Sequence, residues 1–166
     1  MNIEDSILYF KKRFSKLSPR ATYDTDNRGE DFAELFLAND KNISLPITVK
    51  ITDYGCHLSV GRMHNVMGNK PISVEACASA IEDVIADKIV FVFGYKNQND
   101  FDDSKVSISR FFALTEREDD MSEEYEDFLA TLEKKPSWFE RKFGNLTGIF
   151  EISSFNDETP KIVKRI

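Results

Sequence analysis

Leu45-Pro46-Ile47-Thr48-Val49-Lys50-Ile51-Thr52-Asp53-Tyr54-Gly55-Cys56-His57-Leu58-Ser59-Val60 is the stretch on which the fold turns. Leu45, Ile47, Val49 and Ile51 alternate with Pro46, Thr48, Lys50 and Thr52, the period-two pattern of a strand with one buried face. Cys56, Leu58 and Val60 resume it after Asp53-Tyr54-Gly55, whose residue types favour a turn. Two alternating runs joined so tightly predict an antiparallel hairpin. Pro46 has no N–H to give to a ladder, so it belongs at a strand start or on an edge.

Working outward toward the N-terminus, Phe32 to Leu37 is apolar and aromatic enough for a further strand. Residues 3–17 read as a helix: Ile3, Ile7, Phe10, Phe14 and Leu17 recur at three- and four-residue spacing. Asn2 suits its N-cap and Pro19 lies just past its end.

In the other direction, Arg62 to Pro71 reads as a loop, closed by Gly68-Asn69-Lys70-Pro71. Ser73 caps a helix whose stripe is Val74, Cys77, Ala78, Ile81, Val84 and Ile85. The unbroken run Ile89-Val90-Phe91-Val92-Phe93 predicts a central strand buried on both faces. Residues 97–103 form a polar loop expected to be mobile, and Val106, Ile108, Arg110 and Phe112 an alternating strand. Asp120 and Glu123 have capping-box spacing and open a helix with the stripe Met121, Tyr125, Phe128, Leu129 and Leu132. Pro136 begins a short helix ended by Gly144, Leu146 to Phe155 is a last strand, and 156–166 is a tail with little pattern, free to be flexible. The order predicts an α+β fold in a single domain over 1–166. Its core is an antiparallel or mixed β-sheet of about six strands, with helices packed mainly on one face.

Composition agrees with a folded domain. Of 166 residues, 41% are apolar and 14 are Phe, a bulky side chain with no polar handle that belongs in a core. Cys56 and Cys77 form no CxxC pair and fall on apolar faces, as expected of buried free thiols in a reducing compartment. The N-terminus has no basic start followed by an apolar run, and the longest apolar run is far short of the ~20 residues that span a bilayer. The expected location is the cytoplasm.

Motifs for chemistry are sparse. No two of the seven glycines have GxGxxG spacing, and there is no GxxxxGK[ST]. Cys56 and His57 are strand neighbours that point to opposite faces, which argues against one shared metal. Asp100-Phe101-Asp102-Asp103 lacks the alternating ligands and terminal Glu of a calcium loop. No cofactor is expected. There is no GxSxG, and the two histidines are His57 and His64, the latter in a loop with Arg62, Asn65 and Asn69. Trp138 and Phe139 lie among Lys134, Lys135, Arg141 and Lys142, but a net charge of −7 repels nucleic-acid phosphates and anionic membranes alike.

That charge is concentrated. Between Lys96 and Phe128 stand eleven Asp and Glu against four Lys and Arg, so this window carries the whole net charge. Phe101, Phe111, Phe112 and Tyr125 are interleaved with the acids. A concentrated negative field steers a basic partner onto a surface, and aromatics beside it can anchor the contact. The expected function is therefore non-enzymatic: an acidic binding protein whose partner is a basic protein. Asp100, Phe101, Asp102, Asp103, Glu123, Glu124 and Asp127 are its expected contacts.

Small acidic α+β domains with no catalytic motif are similar in kind to bacterial immunity proteins, many of which cover the active surface of a basic toxin such as a nuclease. The element order over residues 3–134 also resembles that of secretion chaperones, which would imply a homodimer holding an effector segment; the helix and strand after Pro136 depart from that pattern. Immunity protein is the leading expectation and secretion chaperone the alternative. A small enzyme using His57 or His64 is the second alternative.

Overall fold

The computed structural model describes residues 2–38, 45–114, 121–137 and 147–165, with backbone alone for 121–123. Two compact units divide the chain, Met1–Asp83 and Val84–Ile166. The general α+β class is as expected, but the strands form two antiparallel sheets of four, where one sheet of about six was expected.

The first unit opens with α1, Ile3–Arg13. Asn2 caps it, its side chain accepting from the Asp5 N–H at 2.8 Å, and Ile7 and Phe10 are buried. The helix ends sooner than its apolar spacing suggested. Ser15–Leu17 is a single 3₁₀ turn, and Ser18, at φ 47°, turns left-handed before Pro19. A residue preceding proline is pushed out of the α region, which stops the helix here.

Strands β1 (Arg20–Thr25), β2 (Asp31–Leu37), β3 (Ile47–Thr52) and β4 (Gly55–Val60) follow and pair in chain order. The predicted hairpin is β3–β4, with Ile51 opposite Cys56, Val49 opposite Leu58 and Ile47 opposite Val60. These inward residues are buried, as are Ala33, Leu35 and Leu37 of β2. Gly55 makes the turn: at φ 135°, a Cβ there would lie 2.5 Å from the Ile72 carbonyl oxygen. Helix α2 (Val74–Ile85) begins at Ser73, whose Oγ accepts from the Ala76 N–H. A bidentate pair between Arg13 and Glu82, at 2.7 and 2.9 Å, ties α1 to α2 and holds the Glu82 carboxyl below its usual range. Cys56 and Cys77 are free, buried and hydrogen-bonded to one another; that bond, together with burial, pushes the Cys77 thiol up.

Four strands end this sheet because its last edge is taken. Cys56 exchanges backbone hydrogen bonds with Ile72, the Val60 N–H donates to Met63, and the Val66 N–H donates to Leu58. The predicted loop Arg62–Pro71 thus closes the free side of β4, and the ladder cannot continue there.

The second unit holds β5 (Ile89–Tyr95), α3 (Gln98–Asp102), β6 (Ile108–Ala113), α4 (Met121–Glu133), β7 (Gly148–Ser153) and β8 (Lys161–Arg165), with strand order β6-β5-β7-β8. β5 is buried at every residue, as its unbroken apolar run predicts, and so is β7. Val90, Val92, Phe112, Phe150 and Ile152 form one face, which receives Phe128 and Leu132 of α4. The Phe128 ring lies 5.2 Å from Phe112 and 6.4 Å, edge-on, from Phe150. Such pairs add about 0.5–1.5 kcal/mol each beyond the area they bury.

Three elements depart from expectation. β1 was unmarked because almost all of it is exposed, which leaves no alternation to read. β8 lies in the segment expected to be a tail; its pattern is masked by Lys161, Lys164 and Arg165 around two apolar residues. The expected mobile loop at 97–103 contains α3, capped by Asn97 through the Asp100 N–H. The expected short helix between Pro136 and Gly144 falls largely outside the described residues. No helix among those described is long and apolar enough to cross a membrane.

Candidate functional site

Among the described residues, the outward face of the first sheet is largely polar and left uncovered, whereas its inward face meets α1. Residues opposite one another in an antiparallel sheet share a face, so register lays out its surface. One row runs Thr22, Glu34, Lys50, His57 across all four strands; the next runs Arg20, Phe36, Thr48, Ser59. A cavity of about 650 Å³ opens on this face. Its floor is Glu34, Thr48, Lys50 and His57. The turn between β1 and β2 adds Asp26 and Glu30, the β3–β4 turn adds Tyr54, and the loop after β4 adds His64 and Asn65.

Charge here is uneven. The Lys50 ammonium sits 4.0 Å from the centre of the Phe32 ring, a cation–π contact. Asp26 Oδ1 accepts from the N–H groups of Glu30 and Arg28, at 3.0 and 2.8 Å, and these bonds hold its carboxyl below the usual range. Both donations fall on Oδ1, and among the described residues Oδ2 has no hydrogen-bond partner. Among the described residues, three carboxylates therefore face the cavity against one ammonium. His57 Nδ1 is buried without a hydrogen-bond partner among the described residues. An unmade bond at a buried nitrogen costs about 1–3 kcal/mol.

His57 and His64, far enough apart in the sequence to be read separately, thus line one cavity. The expected acidic contacts fall in the second unit and do not converge. Asp102 and Asp103 are exposed, and Asp100 is half-buried. Local partners hold all three: Asn97 on Asp100, Gln98 on Asp102, and Lys105 on Asp103. Phe101 stacks edge-on against Tyr95, which shares its side of the sheet with Glu151 through a 2.8 Å bond from its hydroxyl. Glu124 and Asp127 are exposed on α4, which packs on the other side, against Val92, Phe112 and Phe150. The α3 and α4 acids therefore belong to opposite faces of one sheet. The side chain of Glu123 lies outside the described residues, as do Glu116, Glu118, Asp119 and Asp120.

Neither family models, nor curated proteins, nor solved structures give a match to the chain.

Asp26, Glu30, Glu34, Lys50 and Tyr54 were not singled out from the sequence. Their signal was present in the polar half of the alternation that marked β3 and β4. Period two says which residues point away from the core; it does not say whether that side is bare or covered.

Proposed function

We propose that the chain is a non-enzymatic binding protein for a basic macromolecular partner, acting in the manner of an immunity protein that occludes the active surface of a basic toxin. One observation carries this reading: Asp102, Asp103, Glu124, Glu126 and Asp127 all present exposed carboxylates. Exposed like charges keep their field in solvent, where it accelerates the approach of an opposite charge and weakens as salt screens it. The contacts of this reading are Asp100, Phe101, Asp102, Asp103, Glu123, Glu124 and Asp127. Because α3 and α4 lie on opposite faces, one group sits at the centre of the contact and the other acts through its field.

Charge reversal separates the two groups. D102K/D103K and E124K/D127K are each tested for capture of the partner from source-cell extract at low and raised salt. One pair is expected to abolish capture and the other to slow association, with wild-type capture fading as salt rises. Capture that survives both reversals and is indifferent to salt contradicts the reading.

The convergence of His57 and His64 on one cavity favours a second reading, a small enzyme with an imidazole as its acid–base group. It requires that a reaction catalysed by the purified chain be lost in both H57Q and H64Q. A partner captured by the wild type, with no catalysed reaction that H57Q or H64Q abolishes, supports the binding reading.

A further inference from the structure

The cavity on the first sheet has no part in the contacts above, yet its chemistry points to the same kind of partner. We propose that it receives an arginine side chain of the basic partner, with the guanidinium held by Glu34, Glu30 and the free oxygen of Asp26. This rests on the reading that the partner is basic, and it adds the anchor point.

Charge complementarity is the first argument. Among the described residues, Asp26, Glu30 and Glu34 bring three carboxylates to one cavity that Lys50 alone lines with an ammonium. No hydrogen bond or ion pair engages the side chains of Glu30 and Glu34 among the described residues, and Asp26 keeps Oδ2 open. Backbone donors from Glu30 and Arg28 hold the Asp26 carboxyl below its usual range, so it keeps its negative charge and can attract a cation from outside. Arg28 and Lys50, whose ammonium lies over the Phe32 ring, offset that charge in part.

The form of the cavity favours arginine over lysine. A guanidinium is flat and carries five N–H donors in a fixed fork, so one edge can span a carboxylate while other donors remain. His57 stands beside Lys50 in the row that runs to Glu34 and lines the same cavity. Tyr54, 75% exposed at the rim, offers a ring for the guanidinium plane to stack on. Phe36, 39% exposed on the same face, extends the contact beyond the cavity. An arginine and an aromatic surrounded by polar residues is the composition found at the energetic centre of protein interfaces.

The test uses the full-length chain and three probes: Nα-acetyl-arginine amide, its lysine counterpart, and the uncharged glutamine counterpart. Amide spectra of the labelled chain are expected to shift at Glu34, Lys50, Thr52 and His57 with the arginine probe, saturating in the millimolar range of a lone side chain. The lysine probe is expected to bind more weakly and the glutamine probe not at all. Glu34→Gln is expected to weaken the arginine probe about tenfold, the loss of one charge-assisted bond. Lys50→Gln removes the competing ammonium and is expected to tighten it, an effect of opposite sign that damage to the fold cannot imitate. Equal shifts with arginine and glutamine probes, or a Lys50→Gln change that leaves arginine binding unaltered, overturn the proposal. The broader reading fails separately. If a captured basic partner binds E30Q/E34Q as tightly as wild type, the cavity is not its anchor although the partner is basic. If the arginine probe binds but no basic partner responds to D102K/D103K or E124K/D127K, the cavity stands and the acidic-face reading falls.

Discussion

The two sheets have the same number of strands and the same antiparallel pairing, and they differ in the treatment of the second face. In the second unit, β5 and β7 are buried at every residue, with α4 locked onto one side by Phe128 between Phe112 and Phe150. In the first unit, β3 and β4 alternate strictly between buried and half-buried residues, and the half-buried ones surround a cavity. A sheet buried on both sides carries side chains whose replacement is felt as lost packing. A sheet buried on one side keeps a rigid, patterned surface whose residues can change without unfolding the chain. The comparison teaches where to look for function: on the bare face of the first sheet and on the exposed acids, outside the core of the second.

The sharpest way to break this contrast is to cut into each sheet in turn. Phe128→Ala removes a ring held by two others and is expected to cost about 3–5 kcal/mol in chemical denaturation. Tyr54→Ala, in the β3–β4 turn at the rim of the bare face, is expected to stay within about 0.5 kcal/mol of wild type. Equal losses at the two positions would mean that the rim of this face is packed after all. An intermediate effect is expected at the turn that shapes the bare face. Gly55→Ala meets both a left-handed backbone and the Ile72 carbonyl, and a cost of about 1–3 kcal/mol is expected by the same measurement. A neutral result there would mean that the β3–β4 turn does not need its glycine.

A smaller effect concerns Asp26. Backbone donors from Glu30, and next Arg28, depress its carboxyl pKa in the folded chain below the ordinary value of 3.8. A depressed acid stabilises the fold above its unfolded value, and that contribution is lost as pH falls through the lower folded value. The amides of Arg28 and Glu30 are therefore expected to move at a more acid pH than a free aspartate titrates. In Asp26→Asn that transition is expected to vanish, and a transition that persists in the variant would assign it to another group.

Much of the fold was legible because burial leaves a period. The β3–β4 hairpin followed from seven alternating apolar residues, and the central place of β5 from five in a row. The helix with Phe128 and Leu132 followed from three- and four-residue spacing. What was illegible had no such imprint. β1 is exposed on both sides, β8 hides two apolar residues among charges, and the division into two sheets depends on Ile72 and Met63 occupying an edge through backbone atoms, which sequence patterns do not record. The cavity was half legible. His57 and His64 were marked as candidates by residue type, but a charge count along the chain drew attention to the dense window between Lys96 and Phe128. It passed over Asp26, Glu30 and Glu34, which are spread through the chain and gathered only by strand pairing. The same count read the acidic window as one surface, whereas α3 and α4 place its parts on opposite sides of a sheet.

The central claim is that binding is driven by opposite charge, and the dependence of affinity on salt tests it most directly. With the captured partner purified, its dissociation constant for the full chain is measured across a series of salt concentrations. The account predicts a steady loss of affinity as salt rises, with a shallower slope in D102K/D103K, E124K/D127K or E30Q/E34Q. An affinity that holds constant across the series would contradict it.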